Sequence, residues 1–304
     1  MNIVEKLDLA IKVHERKTTA GAYTVPYNGG VLHKTTYMMN DEWKVFEEYM
    51  KNNQFQPTAY AEYSEGDGGE LTEKNGRPPK MASFGSSSRM IYMLSCGKKG
   101  FHYEKKLPTM VGGTANLDGF YEDTTRCIFV EAKCHEPYSV KKNVVSTCYE
   151  KLYEHITEQM AGSIKIQTEQ SKCGRYMNVD YYVNGKKLER FDMKQMICHL
   201  LGVAAGIIKG TINRKQTDFI YLLYDPSALE IDAKAKAEID KIYKLTCAEC
   251  NCIDFAELFR VILEFLNETK FKSALSSKER DDIVLNFTFT LESQNDYQTL
   301  LQQI

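Results

Sequence analysis

Three strand-like segments crowd into residues 101–134, and no other feature restricts the fold of this chain as much. Phe101–Leu107 ends at Pro108 and Gly112-Gly113, Thr114–Tyr121 ends at Glu122-Asp123, and Arg126–Cys134 follows at once. Links this short join antiparallel neighbours into a meander, since a parallel crossover needs a dozen residues or more. The third segment carries Cys127-Ile128-Phe129-Val130, too apolar to face water on either side. Before the meander, Gly85-Ser86-Ser87-Ser88-Arg89 reads as a capped start to a short buried helix. After it, Met193, Met196, Ile197, Leu200, Leu201 and Ala204 recur at helical spacing within Phe191–Lys209, and Thr217–Tyr224 is a fully apolar strand closed by Asp225-Pro226. The order helix, three strands, helix, strand predicts one α/β domain with a three-layer α-β-α core around a mixed sheet.

That core spans 81–225. A helical N-terminal extension over 1–80 is expected from Leu7, Ile11 and His14 and from the apolar stretch after Asn40-Asp41. Residues 64–88 carry loop chemistry in Ser64–Gly69 and Gly76–Pro79. A helix near 145–160 and an excursion over 164–190 separate the third strand from the core helix. A mainly helical C-terminal extension, 226–304, carries helical patterning from Ala233 to Asn267 and closes with a strand or helix over 281–302. With 304 residues, 43% of them hydrophobic, the chain can bury a core without disulfide or metal. Its 39 Lys and Arg against 41 Asp and Glu mean that a polyanionic partner would need positive charge concentrated locally. No apolar run approaches 18 residues, so no membrane span is expected. Nine cysteines behind a charged, non-secretory N-terminus predict free thiols and a cytoplasmic location. Neither GxxxxGK[ST] nor GxGxxG occurs, which leaves P-loop nucleotide hydrolysis unsupported.

The second and third strands contain LDGFYEDTTRCIFVEAKC. Alternation puts Glu131 and Lys133 on one face, and hairpin pairing brings Asp118 alongside Glu131. Two carboxylates and the Ala132 carbonyl form the all-oxygen set a hard cation such as Mg²⁺ prefers, and a neighbouring lysine can deprotonate a water or neutralise a phosphate. Burying such charges at the end of an apolar strand is costly without that purpose. The plainer reading is a surface salt bridge at a strand end, for Glu-x-Lys also occurs at 42–44, 104–106 and 268–270. Only the copy at 131–133 combines an apolar strand with an Asp at hairpin distance.

Asp118 followed by Glu131-Ala132-Lys133, on consecutive strands in that element order, resembles the PD-(D/E)XK nuclease superfamily with its restriction-endonuclease-like fold. Glu104-Lys105-Lys106-Leu107-Pro108-Thr109, Gly112-Gly113-Thr114 and Asn116-Leu117-Asp118 are similar to stretches of bacterial restriction-endonuclease-like proteins. The resemblance covers about residues 81–225. It implies Mg²⁺-dependent phosphodiester hydrolysis of DNA by a restriction- or defence-type endonuclease, with Mn²⁺ able to substitute and a homodimer to cut two strands. Asp118 and Glu131 would be metal ligands and Lys133 the catalytic lysine. Leu117 replaces the proline of the signature. Gln195 and His199 are similar to a Gln-x-x-x-Tyr helix motif of some members, with His in place of Tyr.

Glu70 and Glu104 are further acidic candidates, Glu104 on the strand face of His102 and Lys106 by parity, and each is more often structural than catalytic. Lys105, Lys106 and Arg89 are candidate phosphate contacts. Cys247, Cys250 and Cys252 lack a fourth ligand in sequence and are weak zinc candidates. Cys134 and His135 fall on opposite strand faces and make no nucleophilic pair. Tyr149, Tyr153, Tyr181 and Tyr182 either stack on bases or cover a core edge. Two other readings stay open: a nucleic-acid-binding protein on the same fold without catalysis, and an interaction module whose acidic cluster is structural.

Overall fold

A computed structural model describes residues 2–18, 36–38, 40–66, 69–74, 78–139, 143–171 and 174–303. Parts of the loop chemistry read within 64–88 (Asp67, Gly68 and 75–77) lie outside those residues. The meander forms as its short links require: β1 (Phe101–Pro108), β2 (Thr114–Glu122) and β3 (Arg126–Lys133) pair antiparallel, with Phe101 opposite Tyr121 and Gly119 opposite Val130. A second sheet follows, built from β4 (Val144–Ser146), β5 (Ile164–Gln170), β6 (Tyr176–Val183) and β7 (Lys186–Lys187). β8 (Gln216–Leu223) then pairs parallel with β3, and β9 (Phe287–Ser293) parallel with β8. The main sheet therefore runs β1-β2-β3-β8-β9 and is mixed.

Alternation along β3 and β8 feeds two separate cores. Ile128, Val130, Ile220 and Leu222 face a layer containing α1 (Ile3–Thr18), α4 (Ser87–Ser95), α7 (Ala233–Asn251) and α10 (Gln294–Gln303). Cys127, Phe129, Phe219 and Tyr221 face α5 (Glu150–Gln159), α6 (Met193–Lys209) and α8 (Phe255–Thr269). This is the three-layer α-β-α core. The terminal helices are woven into both layers, with α2 (Asn40–Lys51) and α3 (Ala59–Ser64) on the α4 side and α9 (Ser277–Leu285) against α8. The helical pattern read from Ala233 to Asn267 breaks in two, because Asp254 caps a new helix by accepting from the Glu257 N–H at 2.9 Å. The closing segment holds both a strand and a helix.

α6 deserves its position in the core: thirteen of its residues are buried. Asp192 caps its start, accepting from the Gln195 N–H at 3.0 Å, and left-handed Gly210 ends it. It approaches the sheet so closely that a Cβ on Gly202 would lie 2.8 Å from that of Ala115. The helix thus reaches over β1 and β2 with its first turn near the end of β3. Truncating a buried side chain such as Leu200 to alanine would cost about 2–5 kcal/mol.

Candidate active site

β2 and β3 keep ladder register only to the Gly119–Val130 pair. Beyond it, the Ala132 N–H donates to Oδ2 of Asp118 at 2.7 Å. β3 itself remains paired with β8 through Lys133, so Glu131, Ala132 and Lys133 sit on a fixed central strand while Asp118 sits at the margin of the hairpin. Glu131 is 1% exposed and Lys133 nearly as buried. The Lys133 ammonium donates to Oε1 of Glu131 and, at 2.6 Å, to Oε1 of Gln195 from the first turn of α6. Asp118, Glu131, Lys133 and Gln195 line one pocket of about 510 Å³, together with Glu70, Glu104 and the serines that open α4. Ala132 lies fully buried beneath it.

The charges in this pocket are crowded. Burial pushes the Glu131 carboxyl up to about 7, although the adjacent Lys133 opposes the rise. Burial, and then the negative charge of Glu131, holds Asp118 well above the usual carboxylate range. Glu104 rises to about 8 through burial beside Asp118 and Glu70. Burial works to lower Lys133, but Glu131 and Glu136 carry it well above its ordinary value, so it stays an ammonium. His199, one turn after Gln195, is driven down to about 3 by burial and by Lys133, and is neutral. Its Nδ1 lies 3.2 Å from Oε2 of Glu131 without hydrogen-bond alignment, and that oxygen has no hydrogen-bond partner among the described residues.

A hard divalent cation fits this donor chemistry. The buried Glu131 carboxylate, with one orphaned oxygen, and the crowded Asp118 carboxylate share the single ammonium of Lys133 between them, and both are oxygen donors. Among the described residues, no three acidic, imidazole or thiol side chains form a metal-ligand cluster by themselves. The donor set in question is accordingly Asp118, Glu131 and the Ala132 carbonyl.

Glu70 and Glu104 both reach the pocket. Glu70 comes from the loop before α4 and is buried, bound by Lys80 at 3.0 Å. Strand parity misplaces Glu104. Its φ of 51° interrupts the alternation of β1, so that Tyr103 packs in the α4 layer and Leu107, of equal parity, in the α6 layer. Its carboxyl lines the pocket, and neither His102 nor Lys106 is among the lining residues. Arg89 is no phosphate contact in this structure: it is 3% exposed, paired with Glu15 at 2.7 Å and packed against the rings of Phe46 and Phe84. Lys105 lies over the Phe120 ring, and Lys106 donates to the Glu65 carbonyl at 2.8 Å. The eight described cysteines are free, and Cys247, Cys250 and Cys252 range from buried to exposed. Tyr149, Tyr153 and Tyr181 belong to the core, with the Tyr153 and Tyr181 hydroxyls 2.8 Å apart.

Two further supports carry no mark in the sequence. His135 lines the pocket and pairs with Asp8 of α1 at 3.1 Å, an approach that only a glycine at 85 permits, since a Cβ there would fall 1.8 Å from the Asp8 carboxylate. Glu249 of α7 accepts the backbone N–H groups of Glu189, Arg190 and Phe191 at 2.8–2.9 Å and so fixes the segment that leads into α6. Three consecutive amides on one carboxylate form an anion nest, which a single sequence does not announce.

A scan against protein-family models finds no match, and searches of curated proteins and of solved structures find none either.

Proposed function

We propose that this chain is a divalent-metal-dependent nuclease that hydrolyses phosphodiesters in DNA, as an endonuclease of restriction or defence type. The observation that carries this reading is Oε2 of Glu131: a buried carboxylate oxygen without an aligned partner, next to a second carboxylate and a lysine kept protonated. Asp118, Glu131 and the Ala132 carbonyl would hold Mg²⁺, with Mn²⁺ able to replace it. Bound there, the ion would supply Lewis acidity and charge neutralisation to a phosphodiester. The Ala132 N–H fixes Asp118, and the strand pairing of β3 with β8 fixes Glu131. Lys133, held at Nζ by Glu131 and Gln195, would keep a positive charge where negative charge grows on the phosphoryl oxygens during displacement. Gln195 acts by orienting that ammonium. The serines at the N-terminus of α4 line the same pocket, on an end of the helix that favours anions. A homodimer that presents two such pockets to two strands belongs to the same reading. Among the described residues no helix is long and apolar enough to cross a membrane.

The test incubates supercoiled plasmid, single-stranded DNA and RNA with the purified chain in Mg²⁺, Mn²⁺ or EDTA, beside Lys133→Ala. Plasmid cutting is expected with either ion and none with EDTA, reduced about a hundredfold or more in the variant. Equal behaviour of the two proteins would sink the assignment.

A further inference from the structure

Hydrolysis needs an acceptor for the proton of the attacking water, and the four site residues do not offer one. The carboxylates of Asp118 and Glu131 are the ligands of the proposed ion. The Lys133 ammonium is ion-paired with Glu131 and also donates to Oε1 of Gln195 at 2.6 Å. Gln195 carries an amide, which takes part in hydrogen bonds but is no base.

The pocket supplies an imidazole instead. Among the described residues that line it, His135 is the one histidine, and its side chain is 31% exposed. It lies two residues beyond the strand end that carries Lys133. Glu136 holds the turn there, accepting the Cys134 N–H at 2.8 Å on Oε2. His199, by contrast, packs beside Glu131 in the core and is not among the lining residues.

His135 is held as a base is held. Its Nδ1 lies 3.1 Å from Oδ1 of Asp8, which α1 brings from 127 residues away in the chain. Asp8 is 5% exposed, so a carboxylate has been withdrawn from water to meet one ring nitrogen. The fit around the pair is close: a Cβ on residue 85 would fall 1.8 Å from Oδ1 and 2.6 Å from Nδ1, and the residue there is glycine. A salt link that only tied α1 to the end of β3 would gain little from such burial. A carboxylate that accepts from Nδ1–H selects the neutral tautomer whose lone pair is on Nε2. Gly85 leads directly into Ser86, Ser87 and Ser88, which line the same pocket, so the pair stands beside the wall that favours an anion.

We propose that His135 is the general base of this site and that Asp8 is its positioning residue. Nε2 takes one proton from water while the water oxygen bonds to phosphorus. The bond from phosphorus to the leaving sugar oxygen breaks with its electron pair. That oxygen takes a proton from solvent, and the imidazolium returns its own proton to solvent. The reaction rests on the nuclease reading, whereas the tautomer of the ring can be read without metal or substrate.

Two measurements on the full chain test it. Long-range proton–nitrogen correlation spectra in EDTA, with the ring identified by its loss in His135→Ala, are expected to show the neutral His135 protonated at Nδ1. Asp8→Asn is expected to move that proton toward Nε2. Plasmid cutting in Mg²⁺ is expected to fall about a hundredfold in kcat for His135→Ala with little change in KM, and about tenfold or more for Asp8→Asn. Added imidazole should restore part of the rate to His135→Ala, and more basic imidazoles should restore more, which an unfolded or merely loosened variant would not show. Wild-type rates in His135→Ala, a loss that no imidazole restores, or a neutral ring protonated at Nε2 would overturn the base. If Lys133-dependent cutting persists beside any of these results, the nuclease reading stands without it. Absence of cutting by the wild type, with the Nδ1–H tautomer in place, would overturn the nuclease reading and the reaction assigned to the pair together.

Discussion

The two ends of the β2–β3 hairpin use the same residue types to opposite effect. At the turn, Glu122 is bound by Lys215 at 3.0 Å and by Asn213 at 2.7 Å, and these bonds outweigh a modest burial to leave its carboxyl below the usual range. Asp123 beside it falls to about 2, because the N–H groups of Thr125 and Arg126 and the Thr125 hydroxyl all donate to it. At the open end, Glu131 also has a lysine, yet burial raises it to about 7, and Asp118 rises with it. Acids that merely stabilise a hairpin end gather their donors on one oxygen, Oε1 of Glu122 and Oδ1 of Asp123, and keep access to water. The open end spends burial on two carboxylates with too few donors, which is a cost to folding unless something else binds there.

Removing that crowding should break the comparison most severely at Asp118. Asp118→Asn keeps an acceptor for the Ala132 N–H while deleting one acid. Metal-dependent cutting of plasmid should fall by about three orders of magnitude. Stability in EDTA near neutral pH should hold or rise by about 1 kcal/mol, measured by urea unfolding. If the acidic cluster is structural, the variant loses stability instead, and the functional reading of the open end fails.

The pH dependence should separate the two ends in one protein. Glu131 and Glu104 ionise near 7 and 8 in the folded chain against about 4.3 when unfolded. Between those values the native state binds more protons than the unfolded state, so stability in EDTA falls as pH rises from about 5 to 8. Glu122 and Asp123, lowered on folding, contribute stability that is present above about pH 4 and lost on further acidification. Unfolding temperatures across pH should therefore show two declining limbs. Glu104→Gln should flatten the alkaline limb and leave the acid limb in place, while Mg²⁺ should raise the midpoint more at pH 8 than at pH 6. An alkaline limb unchanged in Glu104→Gln would place its origin elsewhere.

The turn end, with its short links and Glu122-Asp123, was legible in the sequence, as were the antiparallel meander and α6, since period and turn chemistry are local signals. The approach of Asp118 to Glu131 followed from hairpin pairing. What the open end gathers from a distance was legible only as candidates, without a placement. Glu70 arrives from a loop thirty residues before the strands, and Glu104 turns inward on one positive φ that no residue type announces. β9 joins β8 across some seventy residues, and although Phe287, Phe289 and Leu291 alternate toward the core, that alternation does not say which strand they pair with. The second sheet read only as an excursion, because pairing between β4, β5 and β6 depends on register rather than on periodicity.

The smallest effect should come from the turn end itself. Lys215→Met removes the ammonium that bridges Glu122 and the Asp123 carbonyl but keeps most of the aliphatic stem. A pair with this access to water contributes below about 1 kcal/mol, so urea unfolding should move by no more than that, and less at high salt. Plasmid cutting should be unaltered, because Lys215 stands at the opposite end of β3 from Lys133. A loss of cutting comparable with that of Lys133→Ala would mean that lysines at the two ends act on one substrate, and the contrast between a structural and a functional acid–lysine pair would collapse.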